Sequence, residues 1–438
     1  MRLGIICENS IEAIEIIGQE LKKGNSLYII NKNSPIELLI EELNKLKIKT
    51  IYLPKDYTYF EKLSQNNNLI VYDSKKIGWF SSAILLDYNY SKSQNEAIIL
   101  ASSGTTNKRK LISLSHNAIN LNAEKIYLNY SLNLSKECCI IKNFAHSSTL
   151  IGEIIVALKF GIRCYIASQI YNGFQLYKNI VQSKASFVCL NPLLLDIFYD
   201  YLSINKSKSE SLNNLKIIYV SGSMLTKEKE HYYKVIGNIK ILNCYGLTEL
   251  GPRVTMQNIE CYFNGRSIAV GKPLKGVYVK INDTVGNGCG EILVKTDSIM
   301  NEYIGESFMN KSGQWIHTGD VGFIDENEEL NVIGRLDEQL TINSINYNPI
   351  NMEQFFIKNE IFDDCVIVKS KNNNFEELVC LYHNNYLDYY SIKQKLRLFY
   401  PEDIQPKSFI AVKRIIYNDS GKKIRNIWRY KNENSLLE

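Results

Sequence analysis

Through its first hundred residues the chain alternates two apolar patterns. Short uninterrupted apolar runs, LGIIC at 3–7, SLYIIN at 26–31, TIYLP at 50–54 and NLIVYD at 68–73, predict strands. Between them, SIEAIEIIGQELKKG and SPIELLIEELNKLKI place apolar residues three or four apart and predict amphipathic helices, the first ending at Gly24. Strands without internal polar alternation, separated by helices, predict β-α-β units and a mostly parallel sheet. The same alternation continues through IGEIIVALKFG, IRCYIAS, SFVCLNP and LKIIYVSGS. From about residue 265 the pattern changes to short strands with glycine turns, AVGKPLKGVYVKIND and GNGCGEILVK, which predict antiparallel pairing. A boundary falls near GRLDEQ at 334–339, after which helix and strand segments resume and KNNNF at 371–375 predicts a hairpin loop. The expected fold class is therefore α/β: a large N-terminal domain, residues 1–334, of α/β sheet subdomains plus a small antiparallel subdomain, followed by a small α+β C-terminal domain, residues 335–438.

Composition narrows the class. With 438 residues the chain is too long for one ordinary core, and 45% hydrophobic against 22% charged residues is globular rather than disordered. A net charge of +5, with acidic and basic residues interspersed, argues against a dedicated nucleic-acid binder. No apolar run approaches the length of a membrane span, and the start MRLGIICENSIEAIE lacks the features of a signal peptide, so a cytoplasmic address without membrane insertion is expected. The ten cysteines are scattered, with no Cys-x-x-Cys pair, and read as reduced, mostly buried small hydrophobes.

Four loops carry candidate chemistry. In ASSGTTNKRK, Gly104 permits close backbone approach, Ser102, Ser103, Thr105 and Thr106 supply hydroxyls, and Lys108 and Lys110 supply cations, as a polyphosphate requires. The same residues suit a polar turn, and the spacing of a P-loop is absent. ILNCYGLTELGPRV offers Tyr245 to stack on a base, Gly246 in the turn, Thr248 to reach a phosphate and Glu249 to hold Mg²⁺; a plain strand-end turn fits equally. WIHTGDVGFIDENEELNVIGRLDEQ places Asp320 and Arg335 at two strand ends, where both can address ribose hydroxyls or serve as a turn aspartate and a surface arginine. NDSGKKIRN, with Lys422, Lys423 and Arg425, reads alone as a solvated basic tail.

Order and spacing decide among these readings. SSGTTNKRK, then YGLTE about 140 residues later, then TGD, GRLDEQ and SGKKIR, resembles the adenylate-forming superfamily of acyl- and aryl-CoA ligases, firefly luciferase and nonribosomal peptide adenylation domains. VSGSML at 220–225, containing Gly222 and Ser223, is similar to the family's adenine-side turn, and GKPLKGVYVKI, GEILVK and MNEY to the strands closing its large domain. CENSIEAIEIIGQELKKGNSLYIINKNSP resembles a segment that normally lies tens of residues into these enzymes, so a shortened N-terminal stretch is expected. The resemblance implies a two-step reaction: a small carboxylic acid attacks the α-phosphate of ATP, giving an acyl-adenylate and pyrophosphate, and a thiol of coenzyme A or of the phosphopantetheine arm of an acyl or aryl carrier protein then takes the acyl group. It implies that Ser102 to Lys110 cradle the β- and γ-phosphates, Thr248 contacts phosphate, Glu249 holds Mg²⁺, Tyr245 lies against adenine, and Asp320 and Arg335 hold the ribose. Lys422 would neutralise the charge between the carboxylate and the α-phosphate, and Asp337 would be the hinge of a mobile C-terminal lid.

Departures qualify the resemblance. Asn107, Arg109 and Leu111 replace the usual Gly, Pro and Gly of the phosphate loop, though Lys110 is kept, and TINSINYNPINME has Asn343, Ser344 and Asn346 where a Gly-Gly and a basic residue usually line the pantetheine tunnel. The second half-reaction is thus less supported than the first, which leaves two rivals: a non-thiol acceptor, or a non-catalytic ATP-binding regulatory subunit. NFAHSSTLIGE at 143–153 aligns with the family's aromatic-His segment beside the acyl pocket and lacks the Asp that pairs a substrate ammonium, favouring an acid without an α-amine. Phe144, His146, Ser147, Ser221, Cys244 and Leu247 are the expected pocket residues, with His146 also a candidate catalytic group.

Overall fold

The structure is a computed structural model, and it describes all residues except 81–91, 102–108, 130–136, 168–171, 207–210, 224, 226–228, 258–268, 284–287, 307–312, 337–339, 343–344, 348, 373–374, 384–388, 401, 403–404, 418–422, 426 and 433–438.

The expected β-α-β alternation is present. The strands Arg2–Cys7, Ser26–Asn31, Thr50–Pro54, Asn68–Tyr72 and Glu96–Ala101 pair in parallel in a seven-stranded sheet, which Leu111–Ser115 and Glu302–Tyr303 extend antiparallel at one side. A second, eight-stranded sheet has Glu137–Ile140, Arg163–Ile166, Phe187–Leu190, Ile217–Val220 and Lys240–Tyr245 in parallel, with short antiparallel strands at both ends.

Alternation along each strand explains how the layers stack. In the first strand Leu3, Ile5 and Cys7 face one cluster and Ile6 faces another, so both faces are covered and the run reads as continuously apolar. The cluster containing Ile5 also takes Cys138, Ile140, Phe187 and Leu242 from the second sheet, with Ile14 and Ile17 of the Ile11–Lys22 helix and Ile119 and Ile126 of the His116–Asn129 helix between them. The outer face of the first sheet is closed by the Ile36–Leu46 helix through Leu39 and Leu43. That of the second is closed by Gly173–Ser183 and Pro192–Ile204 through Leu176, Leu195 and Phe198. Side-chain caps from Ser10, Asn172 and Asn191 start three of these helices.

The predicted antiparallel segment is a four-stranded sheet of Tyr278–Asn282, Gly290–Lys295, Ile316–Ile324 and Leu330–Arg335. Beyond it, Asp364–Asn372 and Phe375–His383 form the expected hairpin, joined in parallel by Ser408–Ala411 and packed by the Pro349–Lys358 and Tyr389–Arg397 helices. Among the described residues, the two apolar clusters of this region draw only on positions 352 and later, and the three clusters of the rest only on positions up to 332.

Of the nine cysteines described, eight are buried and Cys289 is partly exposed; none is bridged. Among the described residues no helix is long and apolar enough to cross a membrane.

Candidate active site

The strand ends of the two parallel sheets deliver the candidate residues, as open α/β sheets place ligand sites beyond the carboxyl ends of their strands. Glu96–Ala101 runs into the 102–110 loop, Ile217–Val220 into Ser221–Ser223, and Lys240–Tyr245 into the Gly246–Leu250 turn.

Tyr245, Asp320 and Arg335 come together. Asp320 and Arg335 are direct cross-strand partners, and Arg335 Nη1 donates to Asp320 Oδ1 at 3.2 Å and to the Thr318 carbonyl at 3.3 Å. The Tyr245 hydroxyl donates to Asp320 Oδ2 at 2.6 Å, and Asp320 is 7% exposed. Burial and the neighbouring carboxylate both push the Tyr245 phenol well above its ordinary range, so it stays a neutral donor. Val220, Ser223, Asn243, Cys244, Val270 and Val332 line a small cleft, joining the turn after one strand to the strand that ends at Arg335. Gly222 has φ +105°, which holds the turn open at Ser223.

Thr248 and Glu249 sit in a single 3₁₀ turn, Thr248–Leu250. Thr248 Oγ1 lies 2.8 Å from Ser147 Oγ, bringing the NFAHSS segment against the YGLTE turn. Glu249 is held at two points: Tyr303 OH donates to Oε1 at 3.0 Å and Met300 N to the carbonyl at 2.8 Å. Lys110 ends 4.4 Å above the Tyr303 ring and 3.3 Å from Glu306.

Gly246 is required by space. A Cβ there would lie 1.8 Å from the Pro252 carbonyl oxygen, which folds back over the turn. Gly246→Ala is therefore expected to destabilise the protein by about 1–3 kcal/mol through forced displacement of the 246–252 segment, measured as a fall in the urea midpoint.

The residues expected on the acyl side divide. Ser147, His146 and Leu247 are half-buried around the turn, and Ser221 and Cys244 are buried at the strand ends. Phe144 is 0% exposed and belongs to the core between the sheets, its N–H donating to Asn9 Oδ1.

The candidates Ser102, Ser103, Gly104, Thr105, Thr106, Asp337 and Lys422 lie outside the described residues. Their neighbour Lys423 is buried, with Nζ 2.6 Å from Asp364 Oδ1 and from the Cys365 carbonyl. Arg425 pairs with both oxygens of Glu353. Tyr417 and Lys423 form an isolated antiparallel bridge.

Sequence reading missed a buried network that reaches Ser221. Lys142 Nζ lies 3.2 Å from Glu153 Oε1 and 3.4 Å from the hydroxyls of Ser148 and Ser221. Glu153 belongs to a π-helical turn, Leu150–Ile155, inside the predicted helix. Burial raises its carboxyl pKa, opposed by Lys142 and Arg253.

No group of three or more His, Cys, Asp and Glu among the described residues could hold a metal alone. A single carboxylate at Glu249 fits a Mg²⁺ ion that arrives with nucleotide phosphates, because Mg²⁺ is commonly bound by one or two carboxylates plus phosphate oxygens.

The chain is similar to known proteins over most of its length. The AMP-binding enzyme family matches residues 2–304. Zwittermicin A synthase ZmaJ of Bacillus cereus is 24% identical over 97% of this chain and 84% of its own length. The 2-succinylbenzoate–CoA ligase of Lactococcus lactis subsp. lactis (strain IL1403) is 23% identical over 97% and 89%. The fold superposes on o-succinylbenzoate CoA synthetase (MenE) from Bacillus subtilis, a structure in complex with the acyl-adenylate intermediate OSB-AMP, with a TM-score of 0.80 at 16% identity over 98% of this chain and 88% of that one. With a family match spanning both parallel sheets and the strand-end turns described above, the chain belongs to the AMP-binding enzymes.

Proposed function

We propose that the protein activates a small carboxylic acid with ATP, forming an acyl-adenylate and pyrophosphate, and passes the acyl group to a thiol. The observation that carries this reading is the trio of Tyr245, Asp320 and Arg335, with Thr248 and Glu249 on the turn that follows Tyr245. An aromatic face, a buried carboxylate and a guanidinium suit a nucleoside, and the hydroxyl and carboxylate of the turn suit the phosphates that follow it.

In the first step a carboxylate oxygen of the acid attacks the α-phosphorus, the bond to the bridging oxygen of the β-phosphate breaks, and pyrophosphate leaves. Tyr245 packs against adenine while Asp320 and Arg335 hold the ribose. The hydroxyls of Ser102, Ser103, Thr105 and Thr106, the Gly104 backbone and Lys110 hold the β- and γ-phosphates, and Thr248 reaches phosphate. Glu249 is the residue that would hold Mg²⁺, which when bound neutralises phosphate charge. Lys422 offsets the repulsion between the carboxylate and the α-phosphate. These groups position and neutralise, which is what adenylyl transfer asks of a protein.

In the second step the thiol sulfur attacks the carbonyl carbon, the bond to the phosphate oxygen breaks, and AMP leaves. Residues 335–438 act as a lid turning about Asp337, bringing Lys422 in for adenylation and withdrawing it afterwards. His146, Ser147, Ser221, Cys244 and Leu247 surround the acid. The acceptor thiol is that of coenzyme A or of a carrier-protein phosphopantetheine.

ATP–pyrophosphate exchange across a panel of aryl, short-chain and fatty acids tests the reading. Exchange dependent on at least one acid is expected, and its absence with every acid would sink the proposal. Adding coenzyme A or a carrier protein to the best acid then identifies the acceptor.

A further inference from the structure

We propose that Tyr303 is a positioning residue that couples the cationic end of the phosphate loop to Glu249 and fixes the carboxylate for a divalent cation. This rests on the reading above. Tyr303 lies on the Glu302–Tyr303 strand, which pairs with Leu111–Ser115, the strand that directly follows the phosphate loop, with Tyr303 opposite Ile112. Two further backbone bonds lock this edge: Asn301 N to the Ser113 carbonyl at 2.7 Å, and Ile304 N to the Leu111 carbonyl at 2.8 Å. From that anchored position the residue makes two contacts with different chemistry. Its ring lies 4.4 Å beneath Lys110 Nζ, a cation–π distance, and its hydroxyl donates to Glu249 Oε1 at 3.0 Å.

The second contact sets the metal chemistry. The terminal torsion of a glutamate is broad, so a carboxylate on a turn samples many orientations unless one oxygen is held. Tyr303 engages Oε1 while Met300 N engages the backbone carbonyl of the same residue, so the turn and its side chain are both gripped from one short segment. With Oε1 engaged, the carboxylate is restrained to fewer orientations. Hydrogen bonds of this kind to a metal-binding carboxylate change metal affinity by about 10–100-fold when removed.

Tyr303→Phe removes the hydroxyl and keeps the ring, so the contact with Lys110 and the packing against the core are retained. The probe is Mn²⁺, followed by electron paramagnetic resonance with a non-hydrolysable ATP analogue, no acid present, and protein in excess over nucleotide. The expected result is a Kd for Mn²⁺ raised about ten-fold in Tyr303→Phe, with analogue binding at saturating Mn²⁺ unchanged and Tm close to that of the parent. An unchanged Mn²⁺ Kd in Tyr303→Phe, alongside weakened binding in Glu249→Gln, overturns the positioning role alone. An unchanged Kd in both variants overturns the metal role of Glu249, and the proposal with it, while acid-dependent pyrophosphate exchange would still stand.

Discussion

Lys422→Ala is expected to lower ATP–pyrophosphate exchange by about 10²–10³-fold, the usual effect of removing one group that stabilises developing charge, while release of the acyl group from a supplied adenylate to the thiol continues. The attacking carboxylate and the triphosphate are both anions, so their approach needs a cation between them, and SGKKIR contains two adjacent lysines that could supply it. The structure describes one of the two. Lys423 is committed to the interior of the C-terminal region, with Asp364 and the Cys365 carbonyl each at 2.6 Å. Asp364 is held in turn by the Tyr417 hydroxyl. These contacts commit Lys423 to the fold of this region, which favours the proposed assignment of the phosphate-side charge to Lys422. Measuring the two half-reactions separately checks the assignment: equal loss in both would mean that the substitution had damaged the lid instead of removing a charge from adenylation.

Glu353→Gln is expected to destabilise the C-terminal region by about 3–5 kcal/mol, because it removes one member of a buried ion pair and leaves the other without its counter-charge. The Glu353 side chain is 4% exposed and accepts from Arg425 with both oxygens and from Ile367 N at 2.7 Å; Arg425 also donates to the Ile367 carbonyl at 3.1 Å. The pair ties the Pro349–Lys358 helix to the long hairpin and to the segment that follows SGKK. For a region of about a hundred residues this is a large share of a typical stability of 5–15 kcal/mol. If residues 335–438 fold as their own unit, calorimetry will show a second, earlier transition in the variant while the transition of the larger region stays in place. A single transition shifted as a whole would contradict the division near residue 334.

The sequence revealed most where local periodicity and global position coincide. The Ile5 and Ile6 pair, facing opposite clusters, is the physical content of an unbroken apolar strand, and the helices at 11–22 and 36–46 carry their stripes at helical spacing. Tyr245 and Arg335 could be singled out because each stands at a strand end beside a glycine, and Asp320 because it follows Gly319, although it lies in the middle of the Ile316–Ile324 strand and not at the strand end expected for it. Their convergence could not be read off, since 75 residues separate Tyr245 from Asp320. Long-range polar pairs left no local trace. Lys142 reads as one more lysine until its 3.2 Å contact with Glu153 is known, and Tyr303 as a strand residue until its hydroxyl is found on Glu249. Phe144 illustrates the converse: an aromatic beside an expected pocket can equally be core, and here it is fully buried between the sheets.

The central claim is that a carboxylate oxygen attacks the α-phosphorus of ATP. Supplying the best acid of the panel with ¹⁸O in its carboxylate, together with MgATP and the accepting thiol, follows that oxygen directly. The account predicts that AMP, isolated after one turnover and analysed by mass spectrometry, carries one ¹⁸O and that pyrophosphate carries none. Unlabelled AMP, or ADP and phosphate as the products, would contradict it.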